Sequence, residues 1–115
     1  MILNLTQHPG TPEQGVTEPW NKKEIQDLLT FEEVPTFELL CERADKLATV
    51  AATAGAEKVM IGGAPFFMGY LVAELRIRGI EPLYAFSKRV VIETVATDGK
   101  VSKTAVFKHV GWVPA

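Results

Sequence analysis

A chain of 115 residues with 47% hydrophobic and 23% charged residues has the apolar content for one core and no room for a second domain. Its formal charge of -2 argues against broad, non-specific nucleic-acid binding, so no duplex nucleic acid is expected as a partner, although a local basic patch can still hold a small anion. Cys41 is the only cysteine, which excludes an internal disulfide and a thiolate metal cluster.

The chain opens with an apolar run, Ile2 to Thr6, read as the first and central strand of an α/β sheet. The start has no basic region or cleavage site, and no run reaches the length of a membrane span. A cytoplasmic protein without a membrane partner is expected. After the strand, Thr6-Gln7-His8-Pro9-Gly10 forms a polar loop. Thr11-Pro12-Glu13-Gln14 carries the signals of a short helix, and Val16-Thr17-Glu18 those of a turn or short edge strand. Asn21 is placed to cap a helix over 22–30 with Ile25, Leu28 and Leu29 inward and Lys22, Lys23, Glu24 and Asp27 on a solvated face. Thr36 then caps the longest helix, 37–54, whose inner stripe is Phe37, Leu40, Ala44, Leu47 and Ala51, with Gly55 as its stop.

The centre of the chain is a β-turn-α-β unit. Lys58-Val59-Met60-Ile61 has the apolar, β-branched look of a strand buried on both faces. It ends at Gly62-Gly63, where the main chain can turn sharply and a ligand can approach closely. Pro65 suits the first turn of a helix, because the N–H it lacks would have no partner there. The helix therefore aims free N–H groups and the positive end of its dipole at whatever lies above the strand, an arrangement that attracts phosphate. Its inner stripe is Phe67, Leu71 and Leu75, with Met68, Val72 and Ile77 beside it, and Gly79 ends it before a second strand at Pro82 to Phe86. Strands joined through a helix are parallel neighbours, so an α/β fold with a mainly parallel sheet follows. The glycine pair lacks the dinucleotide fingerprint and the Walker residues, so neither NAD nor ATP is implied, and a turn that binds nothing is the plain alternative. If the first strand is a neighbour, the Thr6 to His8 loop and the glycine turn flank one crevice. His8 then has a functional role, or Thr6, Gln7 and His8 merely satisfy turn hydrogen bonds.

From Ser87 to Val95 and Val101 to Val113 two β-rich runs flank Thr97-Asp98-Gly99-Lys100, a C-terminal β-hairpin. With Asp98 and Gly99 as the whole loop, Glu93 pairs with Thr104, Arg89 with Lys108, and Lys88 with His109. Ser87, Arg89 and Glu93 then share one face with Lys108, whereas His109 joins Lys88 on the other. Arg89 can clamp a phosphate bidentately or pair with Glu93. His109 reads as a packed histidine.

Val59 to Met68, Pro82 to Arg89, Glu93, Asp98-Gly99-Lys100 and Val106 to Val110, with Leu3 to Pro9 and Thr11 to Gln14, resemble the small stand-alone CRISPR-associated proteins of type III loci. These belong or are close to the CRISPR-associated Rossmann-fold (CARF) superfamily. The likeness leaves 15–56 poorly matched. It implies a single CARF-like domain over 1–115, Rossmann-like and three-layered, in a homodimer whose joined crevices hold a cyclic oligoadenylate, with cyclic tetra-adenylate the expected ring. Some such proteins cleave the ring without metal, as ring nucleases, whereas others only bind it as sensors, and related proteins in phages suggest a sponge.

Metal-free cleavage needs a ribose 2′-hydroxyl held in line with its phosphate and charge stabilised on that phosphate. On this reading His8 is the general acid or base, and Ser87 and Arg89 complete the catalytic set. Thr6, Gln7, Gly62, Gly63, Ala64, Pro65, Phe66 and Lys88 line the ligand. No Asp/Glu/His cluster has metal-ligand spacing, so no metal and no other cofactor is expected.

Overall fold

The computed structural model describes residues 1–115 as a mixed α/β domain with one four-stranded sheet and three helices. Strand β1 (Ile2–Leu5) leads through α1 (Lys22–Leu28) and α2 (Phe37–Thr53) to β2 (Lys58–Ile61). Helix α3 (Pro65–Ile77) connects β2 to β3 (Glu81–Val95), and β4 (Val101–Pro114) returns along it. The strand order is β1-β2-β3-β4, with β1, β2 and β3 parallel and β4 antiparallel. No helix is long and apolar enough to cross a membrane.

The expected parallel pairing of β2 and β3 is observed, with Val59 opposite Pro82 and Met60 opposite Leu83. β1 lies beside β2, Leu5 opposite Ile61, but it occupies the end of the sheet and not its centre. Only Thr17 pairs beyond it: Asn4 N–H donates to Thr17 C=O and Thr17 N–H to Ile2 C=O, both at 2.8 Å. This bridge is the short edge contact anticipated at Val16 to Glu18. It also explains why Thr11 to Gln14 closes a single turn in place of a helix. Gln14 N–H bonds back to Thr11 C=O, and Gly15, at φ +63°, redirects the chain to reach β1.

Leu3 and Leu5 of β1 and Val59 and Ile61 of β2 form one buried cluster with Ile25, Leu29 and the inner stripes of α2 and α3. Asn4, Met60 and Leu83, on the alternate positions, are buried outside that cluster. Strand order gives the reason. Right-handed crossovers that always step in the same direction put their helices on one face, and a helix layer on both faces requires the order to reverse. The order here does not reverse, and α2 packs directly on α3. The expected three-layer arrangement is thus replaced by a helix layer over one face of the sheet.

Thr36 caps α2 as expected, its Oγ1 accepting from Leu39 N–H at 3.1 Å. Leu40, Ala44, Leu47 and Ala51 are buried, but Phe37 turns outward and meets Tyr70 edge-on at 6.0 Å. Phe67, Leu71 and Leu75 of α3 are wholly buried, whereas Ile77 is exposed. Ile77 ends the helix, and Gly79 (φ +72°) then lets the chain turn into β3.

Candidate functional site

The carboxyl ends of β1 and β2 lie side by side, and the structure brings the first two candidate segments together there. A β-carbon built on Gly62 would stand 3.6 Å from Thr6 Cγ2, so the Thr6 to His8 loop and the glycine turn are direct neighbours at this edge of the sheet. A β-carbon on Gly63 would press to 3.3 Å from Met68 Cε, which seats the turn on the first turn of α3. Ala64 precedes α3, Pro65 begins it without an N–H, and no side chain caps it; Phe67 and Met68 N–H donate to Ala64 C=O (2.9 and 3.3 Å), so the Phe66 N–H and the helix dipole face outward at this end. Phe66 is half exposed at this end and meets Phe31 edge-on at 5.1 Å.

A buried polar network holds the loop. Asn4, with no exposed surface, donates through Nδ2 to His8 C=O (2.8 Å) and to both Glu18 carboxylate oxygens (2.8 and 2.9 Å). Its Oδ1 accepts from Thr6 N–H at 2.9 Å and Thr6 Oγ1 at 2.6 Å. Lys22 Nζ donates to Thr6 C=O (2.8 Å) and His8 C=O (3.1 Å) and lies 3.3 Å from Glu18 Oε1. Gln7 donates to Thr30 Oγ1, and Gln26 donates to Gln7 C=O. The main chain of His8 is therefore fixed while its imidazole is exposed. Burial alone would raise the Glu18 carboxyl, but the bonds from Asn4 and the Gly10 N–H and the charge of Lys22 outweigh it and hold the group below its ordinary value.

Lys22 is a pin of the loop and not part of a solvated face. Asn4, Glu18 and Lys22 escaped the sequence reading because their contacts span 14 and 16 residues. One signal was visible: Asn4 is the single polar residue of an apolar strand.

Ser87 and Arg89 lie on the neighbouring strand, beyond the level of the glycine turn. Met60 is opposite Leu83 in the parallel pair, so Gly62 is level with Ala85, and Ser87 and Arg89 lie two and four residues further along, about 7 and 13 Å. The hairpin register also differs from the one read from Asp98-Gly99. Ala96 N–H bonds to Lys100 C=O, giving a three-residue loop in which only Gly99 has positive φ. Glu93 pairs with Lys103, Arg89 with Phe107 and Lys88 with Lys108. The same register sets Ser87 opposite His109, and a bulge beyond it, at Phe86/Ser87, shifts Phe86 onto Gly111. His109 thus shares a face with Ser87 and Arg89 and is separated from Lys88, the reverse of the expectation. The imidazole lies against Trp112, with ring centroids 4.8 Å apart. Lys88 takes the other face, that of Tyr84, which packs on the helical core.

Two surface hollows, of about 610 and 490 Å³, share Phe31, Glu32, Glu33 and Val34. Neither includes a residue of the Thr6 to His8 loop or of Gly62-Gly63.

A family model described as the uncharacterized protein MJ1673 family matches residues 1–113, so the chain belongs to that family. Searches of curated proteins and of solved structures returned no match.

Proposed function

We propose that the crevice at the carboxyl ends of β1 and β2 binds a cyclic oligoadenylate, in a homodimeric, reduced Rossmann-like protein of CARF type. The supporting observation is that the Thr6 loop and Gly62 are direct neighbours, with Thr6 Cγ2 3.6 Å from where a β-carbon on Gly62 would stand, beside the start of α3, which no side chain caps. Two parallel strands end there at backbone that admits a phosphate, and the helix dipole favours its charge. His8 is the titratable side chain on the fixed loop. As general base it would take the proton of a ribose 2′-hydroxyl whose oxygen attacks the adjacent phosphorus. The 5′-oxygen would leave with a proton, and a 2′,3′-cyclic phosphate would remain. Arg89 lies about 13 Å along β3 past the level of Gly62, twice as far as Ser87, which makes binding without turnover, as in a sensor or sponge, the second reading.

Incubation with cyclic tetra- and hexa-adenylate followed by chromatography tests both. Linear or cyclic-phosphate products support cleavage, and an intact ring retained by the protein supports binding alone. If neither ring is bound, the proposal fails. In the cleaving case His8→Ala is expected to lose at least ~100-fold in rate, and an undiminished rate would remove His8 from the chemistry.

A further inference from the structure

From Ser87 to His109 the hairpin is a two-stranded ribbon exposed along nearly its whole length. An isolated ribbon of this kind is marginal in water, and this one carries Val90, Ile92 and Val106 together on one face. The same face holds Lys88 directly opposite Lys108, a like-charge pair that opposes pairing of the strands. It has no acidic residue, whereas the other face balances Glu93 against Lys103. The ribbon contains five basic residues and two acidic ones, and the rest of the chain seven and twelve. Lys88 and Lys108 form no ion pair within the chain.

The body presents the complement. The hollow of about 610 Å³ is lined by Phe31, Val34, Pro35, Leu40 and Phe66 with Glu32 and Glu33 at its edge. Val34 is 95% exposed, and neither glutamate has an ion-pair partner. The nearby Arg43 pairs with neither glutamate; its guanidinium donates to the Leu28 and Thr30 carbonyls and lies over the Phe31 ring.

We propose that the Lys88/Val90/Ile92/Val106/Lys108 face of the ribbon seats on the Phe31 to Pro35 hollow of a second copy of this chain, reciprocally. The aliphatic side chains meet Val34 and Phe66, and Lys88 and Lys108 meet Glu32 and Glu33. Reciprocity follows from area. A ribbon nine residues long and two strands wide has a footprint of about 300 Å². One docked ribbon therefore buries about 600 Å² in total, short of a stable interface, and two bury about 1,200 Å². Exchange of both arms also closes the pair with two-fold symmetry. The aliphatic centre of this face favours a protein partner over an RNA strand. The inference stands independently of the ligand assigned to the crevice.

Sedimentation of the full chain measures it directly. The wild type is expected to be a dimer at micromolar concentration. Lys88→Glu/Lys108→Glu and Glu32→Lys/Glu33→Lys are each expected to weaken it by about 100-fold, since apposed like charges oppose association. Combining all four substitutions restores the dimer. All positions are on the surface, and recovery in the combined variant guards against misfolding as the cause. A monomeric wild type, an undisturbed dimer in either double variant, or no recovery in the combined one overturns the proposal. So does a monomer that binds a single-stranded oligoribonucleotide through the ribbon.

Discussion

Removing the Asn4 side chain should be far more damaging than its exchange in an ordinary strand position. Asn4→Ala deletes the donors to His8 C=O and Glu18 and the acceptor of Thr6 N–H. Neutral hydrogen bonds contribute about 0.5–1.5 kcal/mol each and those to charged groups about 1.5–3 kcal/mol. Glu18 is partly exposed, so water takes over part of its share, and His8 C=O keeps Lys22. Two neutral bonds and one discounted charged bond then give a loss of about 3 kcal/mol. For a domain of this size that lowers Tm by roughly 12 °C. Urea unfolding followed by far-ultraviolet circular dichroism measures it, as a lower midpoint with an unchanged slope. A loss below about 1 kcal/mol would mean that the network is not what holds the loop.

Glu18 makes the fold acid-sensitive in a defined direction. Its folded pKa lies below the ordinary 4.5, so its contribution is complete above that value and is lost as the pH falls through the folded one. Glu18→Gln is expected to flatten the acid limb of stability below pH 4.5, and an unchanged limb would assign acid unfolding to other carboxylates. The hairpin register is tested by cross-linking in a Cys41→Ser background. Ile92→Cys with Thr104→Cys should form a disulfide under mild oxidation, because these residues are directly opposite. Glu93→Cys with Thr104→Cys should not, and the opposite result would restore the two-residue loop.

The helices and the parallel β-strands were legible because burial imposes a period. Leu40, Ala44, Leu47 and Ala51 on α2, and Phe67, Leu71 and Leu75 on α3, declare their inner faces at steps of three and four. Short-range chemistry was legible too, as at Thr36 and Gly79. The hairpin loop was miscounted because Asp-Gly suits two geometries. A two-residue type I′ loop needs positive φ at both positions, whereas a three-residue loop needs it only at the glycine. Asp98 instead accepts from Lys100 N–H through Oδ1, and Gly99 alone turns at φ +85°. Strand order and the Asn4-Glu18-Lys22 network are long-range facts, and no local pattern encodes them.

That single residue of register reshapes the functional reading more than any shifted element boundary. It joins His109 to Ser87 and Arg89 on one face and leaves Lys88 and Lys108 as an unrelieved like-charge pair on the other. The ribbon thereby separates two faces, one with Lys88, Lys108 and aliphatic side chains, one with Ser87, Arg89 and His109 beside Val91, Val95, Val101 and Phe107. Ser87 and Arg89 extend about 7 and 13 Å along β3 beyond the level of Gly62. In a pair that exchanges ribbons, the first face would be covered by the partner's acidic hollow while the second is carried toward the partner's body. If the dimer cleaves its ligand, disrupting the ribbon contact with Glu32→Lys/Glu33→Lys should lower turnover while sparing the fold of each monomer.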